Sequence, residues 1–283
     1  MSPEQNENIE HEIAPRSSAA TKSTLEKPPI HDSWVSGFRT SENEMFFDRV
    51  LERVLRLVGA TPGQSILDAG CGSGTKSMLL AARGMKVTGA DFSEYVLAKA
   101  RSAAEQAGVS GNISFSREDL LSLSFSNDEF PYVLCWGVVM HIPDQEAALN
   151  ELARVVQPGG YLILSEGNMY SVQSLLLRGA KRLLGRQRSE IVVDEIGLEF
   201  WDETPSGRLM TRQTNIPALI KAIERRGFHL ESRFAGQFTE LYMTVRSSFA
   251  RKLIHAFNAL WFRYIRTGRL AYGNMIVLRK NLV

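Results

Sequence analysis

The residues of this 283-residue chain whose types and spacing suggest chemistry are three acids that follow apolar runs and three glycines on alternate positions. The run Ile66-Leu67-Asp68-Ala69-Gly70-Cys71-Gly72-Ser73-Gly74 reads as a buried strand ending in an acid, then a glycine loop, then a helix. Glycine has no Cβ and tolerates φ > 0, so such a loop brings bare backbone close to a ligand. Seventeen residues past Gly74, a second apolar run, Lys86–Ala90, closes on Asp91. A carboxylate at that strand tip is placed to accept bonds from both hydroxyls of a ribose. The chemistry implied is recognition of a nucleoside-containing cofactor.

Two such cofactors compete. A dinucleotide fingerprint spaces its glycines G-x-G-x-x-G and aims a helix N-terminus at a pyrophosphate. Here the spacing is G-x-G-x-G, and Asp68 stands just before the loop. A carboxylate there repels a pyrophosphate and attracts the ammonium of an amino acid, such as the methionine portion of S-adenosylmethionine. Taken alone, the loop is also compatible with an ordinary tight turn.

Further segments follow in order. Asp91-Phe92-Ser93 opens a helix with Ser93 as N-cap. A short strand at Ile113–Ser116 closes on Asp119-Leu120, and Tyr132–Trp136 leads through Gly137 to Val138-Val139-Met140-His141-Ile142-Pro143-Asp144. A helix ending at Val156-Gln157-Pro158-Gly159-Gly160 precedes the strand Tyr161–Ser165 and Glu166. With this series the chain resembles the class I S-adenosylmethionine-dependent methyltransferases, in particular their small-molecule group. The resemblance covers about residues 45–166 and, more loosely, 212–281.

That resemblance implies roles. Gly70, Gly72 and Gly74 approach the cofactor, Asp68 helps hold its amino-acid portion, and Asp91 holds the ribose hydroxyls. Asp119 accepts from the adenine amino group, Leu120 supplies backbone or an apolar wall, and Phe92 packs on the adenine. As residues alone, the three acids also read as caps on loops or helices, and Phe92 as a core aromatic. One departure stands out: Phe130-Pro131 replaces the Phe-Asp of many relatives, removing an amide donor and an acid. Methyl transfer is an in-line displacement in which the cofactor carries the chemistry and the protein orients it. A hydroxyl acceptor must also lose a proton. His141, just after strand four, is the candidate base, with a structural hydrogen-bonding role as its alternative. No metal is expected.

These residues need an α/β frame to position them. Strands at 65–69, 86–90, 113–116, 132–136 and 161–165 alternate with helices at 42–59, 75–83, about 93–107 and 145–156. The pattern predicts a doubly wound, mostly parallel, seven-stranded Rossmann-like sheet, with last strands near 229–234 and 274–279. Ligand sites lie at the carboxyl ends of such strands, where Asp68, Asp91, Asp119 and the segment after Trp136 fall. Residues 1–30 lack a sustained period and are expected to be disordered, with Trp34 and Phe38 the first ordered contacts. Residues 31–283 read as one methyltransferase domain, with helical acceptor-side insertions at 167–211, after strand five, and 247–270, before the last strand.

Composition sets bounds. No run of about 18 apolar residues occurs, so no membrane span is expected. The acidic, non-apolar N-terminus argues against a secretory leader, and Cys71 and Cys135 read as reduced thiols. A cytoplasmic protein is expected, extending to one peripheral to a membrane. The net charge of +2 says nothing about partners, but its distribution does. Residues 171–188 hold five basic residues and no acid, 190–203 six acids and no base, and 246–283 eight basic residues and no acid. The plain reading of such blocks is solvated faces.

The function expected is methyl transfer to a small-molecule or lipid-like acceptor, with oxygen slightly favoured over nitrogen or carbon. Two basic, apolar insertions point to an anionic or amphiphilic acceptor, even one presented at a membrane surface. The preferred account of Phe249, Phe257 and Trp261 is nonetheless a lid packed on the domain. Nucleic-acid methylation ranks lower, because Gly137-Val138-Val139-Met140 stands where an N-P-P-Y motif would. The alternative of a different class is an inactive cofactor-binding protein acting through partner contacts. Intact Asp68, glycines and Asp91 speak against it. The oligomeric state is not legible.

Overall fold

Short apolar runs, each followed by a turn and an amphipathic helix, build the sheet in chain order. The computed structural model describes residues 16–32, 39–185 and 190–282; Trp34, Phe38 and residues 1–15 lie outside them. Five strands, β1 Ser65–Ala69, β2 Lys86–Asp91, β3 Ile113–Arg117, β4 Phe130–Trp136 and β5 Val156–Gly167, are parallel neighbours. An inserted antiparallel sheet of β6 Glu190–Asp194, β7 Gly197–Thr204 and β8 Gly207–Thr214 follows. The main sheet is completed by β9 Phe228–Ala235 and β10 Gly273–Lys280, in the order β3-β2-β1-β4-β5-β10-β9. β10 runs antiparallel to both of its neighbours. Strand order reverses between β1 and β4, which opens a crevice at their carboxyl ends.

Helices cover both faces: α1 Ser18–Leu25, α2 Ser41–Leu57, α3 Thr75–Ala81, α4 Glu94–Gln106, α5 Gln145–Val155, α6 Val172–Leu183, α7 Ile216–Glu224 and α8 Ser248–Leu260. Side chains of a strand alternate between faces. Accordingly Ile66, Ile163 and Val277 pack with Val50 and Val54 of α2, whereas Leu67, Leu162 and Ile276 pack with Leu152 of α5 and Leu219 of α7. Thr40 caps α2, accepting from the Asn43 N–H at 3.3 Å. Pro131 sits where the β4–β5 register shifts, between the pairs Phe130–Val156 and Tyr132–Tyr161. A residue without an N–H is tolerated at such an irregularity.

Three expectations need correction. Residues 18–25, expected to be disordered, form α1; Ser17 caps it and Thr21, Thr24 and Leu25 are buried. Its order comes from tertiary packing, since Lys27 donates to the Ser206 carbonyl at 2.6 Å, near the β7–β8 turn. The insertion after β5 is not purely helical: α6 is followed by the three-stranded sheet. Its acidic block is a solvated face only in part: Glu195, Asp202 and Glu203 are exposed, whereas Asp194 and Glu199 both pair with Arg212, whose side chain is fully buried.

Candidate active site

A cavity of about 670 Å³ opens at the switch point, a volume in the range of small-molecule sites. It gathers Gly70, Gly72, Asp91, Phe92, Asp119, Leu120 and His141, seven of the nine residues the sequence singles out. Asp68 and Gly74 stand behind its wall.

The loop after β1 is held to β2 by N–H groups of Gly70 and Cys71, which donate to the Ala90 carbonyl at 2.7 and 2.9 Å. Gly70 has φ +75°, and a Cβ there would lie 2.4 Å from Val138 Cγ2. Gly72 has φ +54°, and a Cβ there would meet nothing within 4 Å. Its main chain therefore lies bare beside open space. The Gly72 N–H donates to Asp91 Oδ2 at 2.9 Å and the Ser93 N–H to Oδ1 at 3.0 Å. Each carboxylate oxygen keeps a further lone pair for a ribose hydroxyl. Burial pushes the Asp91 carboxyl up to about 6, against these two N–H groups.

Asp68 accepts from Ser77 Oγ at 2.6 Å and is fully buried. It is directed into the first turns of α3 rather than to the cavity, and burial raises its carboxyl above the ordinary range. Gly74 is the N-cap of α3, packed so that a Cβ would lie 3.1 Å from that of Ala100. Asp119 accepts from the Leu121 N–H at 3.0 Å and is ion-paired to Lys22 of α1. Ser18, Thr21, Lys22 and Leu25 thus line the cavity as well.

His141 ends a short 3-10 turn, Val139–His141, and its Nδ1 lies 3.0 Å from the Met210 carbonyl of β8. A carbonyl only accepts, so Nδ1 carries the proton and Nε2 the basic lone pair. Arg212, two residues on, donates to the Ile142 carbonyl at 3.0 Å and to Asp194 Oδ2 from Nε and Nη2 at 3.1 and 3.0 Å. The inserted sheet thereby positions the histidine turn. Burial lowers the His141 imidazole below its ordinary value, opposed by the Met210 carbonyl and aided by Arg212. The shift favours the neutral form.

Four wall residues escaped sequence reasoning: Lys76, Glu166, Glu240 and Tyr272. Glu166 carried a signal, because it lies near the carboxyl end of a parallel strand. Its Oε1 has no hydrogen-bond partner among the described residues, and burial pushes its carboxyl up to about 8. Burial also pushes Glu240 up to about 7, against the pull of Lys76. The Lys76 ammonium lies 5.0 Å from the Phe47 ring centroid and 5.6 Å from that of Trp136. Cys71 and Cys135 are buried free thiols, raised by burial.

A family model described as a methyltransferase domain matches residues 66–160. Over 180 residues the chain is 32% identical to the ubiquinone biosynthesis O-methyltransferase of Alkalilimnicola ehrlichii, covering 62% of this chain and 67% of that enzyme. It is 28% identical over 188 residues to methyltransferase GfsG of Streptomyces halstedii, again covering 62% and 67%. The crystal structure of magnesium protoporphyrin IX methyltransferase from Synechocystis PCC 6803 with bound SAH matches with a TM-score of 0.59 and 19% identity, covering 90% of this chain and 95% of that one. That last likeness bears on the fold alone. An acid-tipped second strand beside a left-handed glycine loop defines a nucleoside-binding α/β protein. The chain belongs to the class I S-adenosylmethionine-dependent methyltransferase superfamily, and S-adenosylmethionine is its methyl donor.

Proposed function

We propose that the chain methylates an oxygen of a small or lipid-like hydroxyl compound, with His141 as the base. The observation that carries this reading is the His141–Met210 hydrogen bond, which fixes the tautomer and orientation of the imidazole on the wall shared with Gly72 and Asp91. Bound S-adenosylmethionine supplies a methyl group already activated by its sulfonium. Asp91 would hold its ribose, Asp119 its adenine amino group, and Leu120 and Phe92 the faces of the base. The bare backbone of Gly70 and Gly72 would admit the amino-acid end, with Lys76 available to its carboxylate. Asp68 supports this from behind by ordering Ser77.

The remaining wall, with Met140, Glu166, Glu240 and Tyr272, is left for the acceptor. With carboxyls raised to about 8 and about 7, Glu166 is mostly protonated at neutral pH and Glu240 partly so. Such groups donate to a hydroxyl or carbonyl and disfavour a deeply bound anion. The basic residues behind the expectation of an anionic acceptor lie on α6, α8 and the segments beside them. An amphiphile with its neutral end inside and its anionic end at the rim satisfies both observations. The relative named for O-methylation in ubiquinone biosynthesis supports the choice of oxygen and of such an acceptor.

The test is incubation of the purified chain with methyl-labelled donor and a cell extract. The expected product is an extractable small molecule labelled on oxygen. Label in nucleic acid, or no labelled product despite calorimetric binding of the donor, would overturn the reading in favour of one of its alternatives.

A further inference from the structure

A surface helix ordinarily turns its apolar stripe to the core and its polar side to water. α6 and α8 do the reverse. The buried side chain of α6 is Ser174, whose Oγ donates to the Asn168 carbonyl at 2.9 Å, while Leu183 on the outer face is 88% exposed. The buried side chain of α8 is Asn258, which accepts from the Thr239 N–H at 3.1 Å and donates to the Thr239 carbonyl at 2.9 Å. Phe249, Leu253 and Leu260 recur at helical spacing along its exposed side, with Phe249 70% exposed. The expected lid therefore holds only for Phe257 and Trp261, whose rings pack on Phe238 at 5.1 and 4.4 Å.

The two helices converge. Gln173 of α6 accepts from the Thr239 hydroxyl at 2.5 Å and from the Glu240 N–H at 2.8 Å, so both are anchored at the residue beside Glu240. Met243, which also lines the cavity, is 40% exposed, so the anchor of the two helices lies close to the cavity rim. Residues 171–185 and 246–270 together hold nine Lys or Arg and no acid. A second copy of the chain docking by the same surface would meet like charge. An anionic surface that also admits leucine and phenylalanine is the complementary partner.

We infer that α6 and α8 form a docking surface for an anionic phospholipid bilayer, holding the cavity mouth at the headgroups so that an amphiphilic acceptor enters without crossing water. This deepens the proposed function and depends on it for the purpose of the contact. The test is flotation of the full chain with vesicles of phosphatidylcholine, with or without phosphatidylglycerol. Binding at least about tenfold greater to the anionic vesicles is expected, falling as salt is raised. Leu183→Glu and Leu253→Glu together should abolish flotation, leaving the melting temperature and S-adenosylhomocysteine binding unchanged. Absence of flotation, flotation undiminished in the double variant, or a dimer in sedimentation that the double variant abolishes would each overturn the inference. The assay uses neither acceptor nor methyl donor, so its failure leaves the methyl-transfer reading standing.

Discussion

Lys22 of α1 and Asp119, just past β3, form an ion pair across 97 residues of sequence, and both line the cavity. The acid proposed to receive the adenine amino group is therefore also the tether of the N-terminal helix. The proposed nucleoside contact and the docking of α1 share one carboxylate.

Two substitutions separate these tasks. Lys22→Ala removes a partly exposed ion pair worth up to about 1 kcal/mol, so the cofactor dissociation constant should rise no more than about fivefold. Asp119→Ala removes the nucleoside contact as well and should weaken S-adenosylhomocysteine binding at least about tenfold. Equal effects by calorimetry would confine the role of Asp119 to the tether.

Asp91 gives a pH signature. Its carboxyl is raised to about 6, so it is protonated below that pH and ionised above it. The ionised form is the better acceptor for two ribose hydroxyls, so cofactor affinity should rise as pH increases through about 6 and then level off. Binding near pH 6 should release a proton, detectable as buffer-dependent calorimetric enthalpy. Asp91→Asn should flatten the pH profile and weaken binding about a hundredfold, the equivalent of about 3 kcal/mol for charge-assisted bonds. A pH slope unchanged in that variant would assign the titration to another group.

His141→Asn should lower kcat by about two orders of magnitude, the usual scale of a lost general base, with cofactor affinity unchanged. Because burial lowers its pKa, the contribution of His141 to the wild-type rate should climb with pH only below the ordinary imidazole range. Full activity in the variant would reduce His141 to a structural residue.

Arg212 couples the inserted sheet to that histidine. Its buried guanidinium satisfies Asp194 and Glu199 together with the Ile142 carbonyl. Arg212→Met leaves those acids without their counter-charge, a loss of about 3–5 kcal/mol. The melting temperature should fall by roughly 10 °C. A variant that melts as the wild type does would show the network to be energetically neutral.

Much of this arrangement was legible in the sequence. Strands β1, β2 and β3 could be placed to within a residue because apolar runs there alternate with capped helices, and the carboxyl-end rule brought Asp91, Asp119 and His141 to one crevice. The side of the strand on which an acid projects is not contained in that rule, which is why Asp68 faces Ser77 instead of the cavity. The small sheet was missed because β6–β8 mix apolar and charged residues. Its acids are matched by Arg212, 13 and 18 residues away, a pairing no local pattern displays. α1 escaped for a similar reason, since its few buried side chains are held from the β7–β8 turn.

The placement of β10 has a consequence for how the molecule can be shortened or tagged. Although later in the chain than every other strand, it is an interior one, hydrogen-bonded to β5 on one side and β9 on the other. Removing residues from 273 onward would not trim a border strand; it would detach β9 from the sheet and bare the flank of β5. The last strand of the chain is thus a tie between its neighbours, and a tag is better placed beyond it than in its stead.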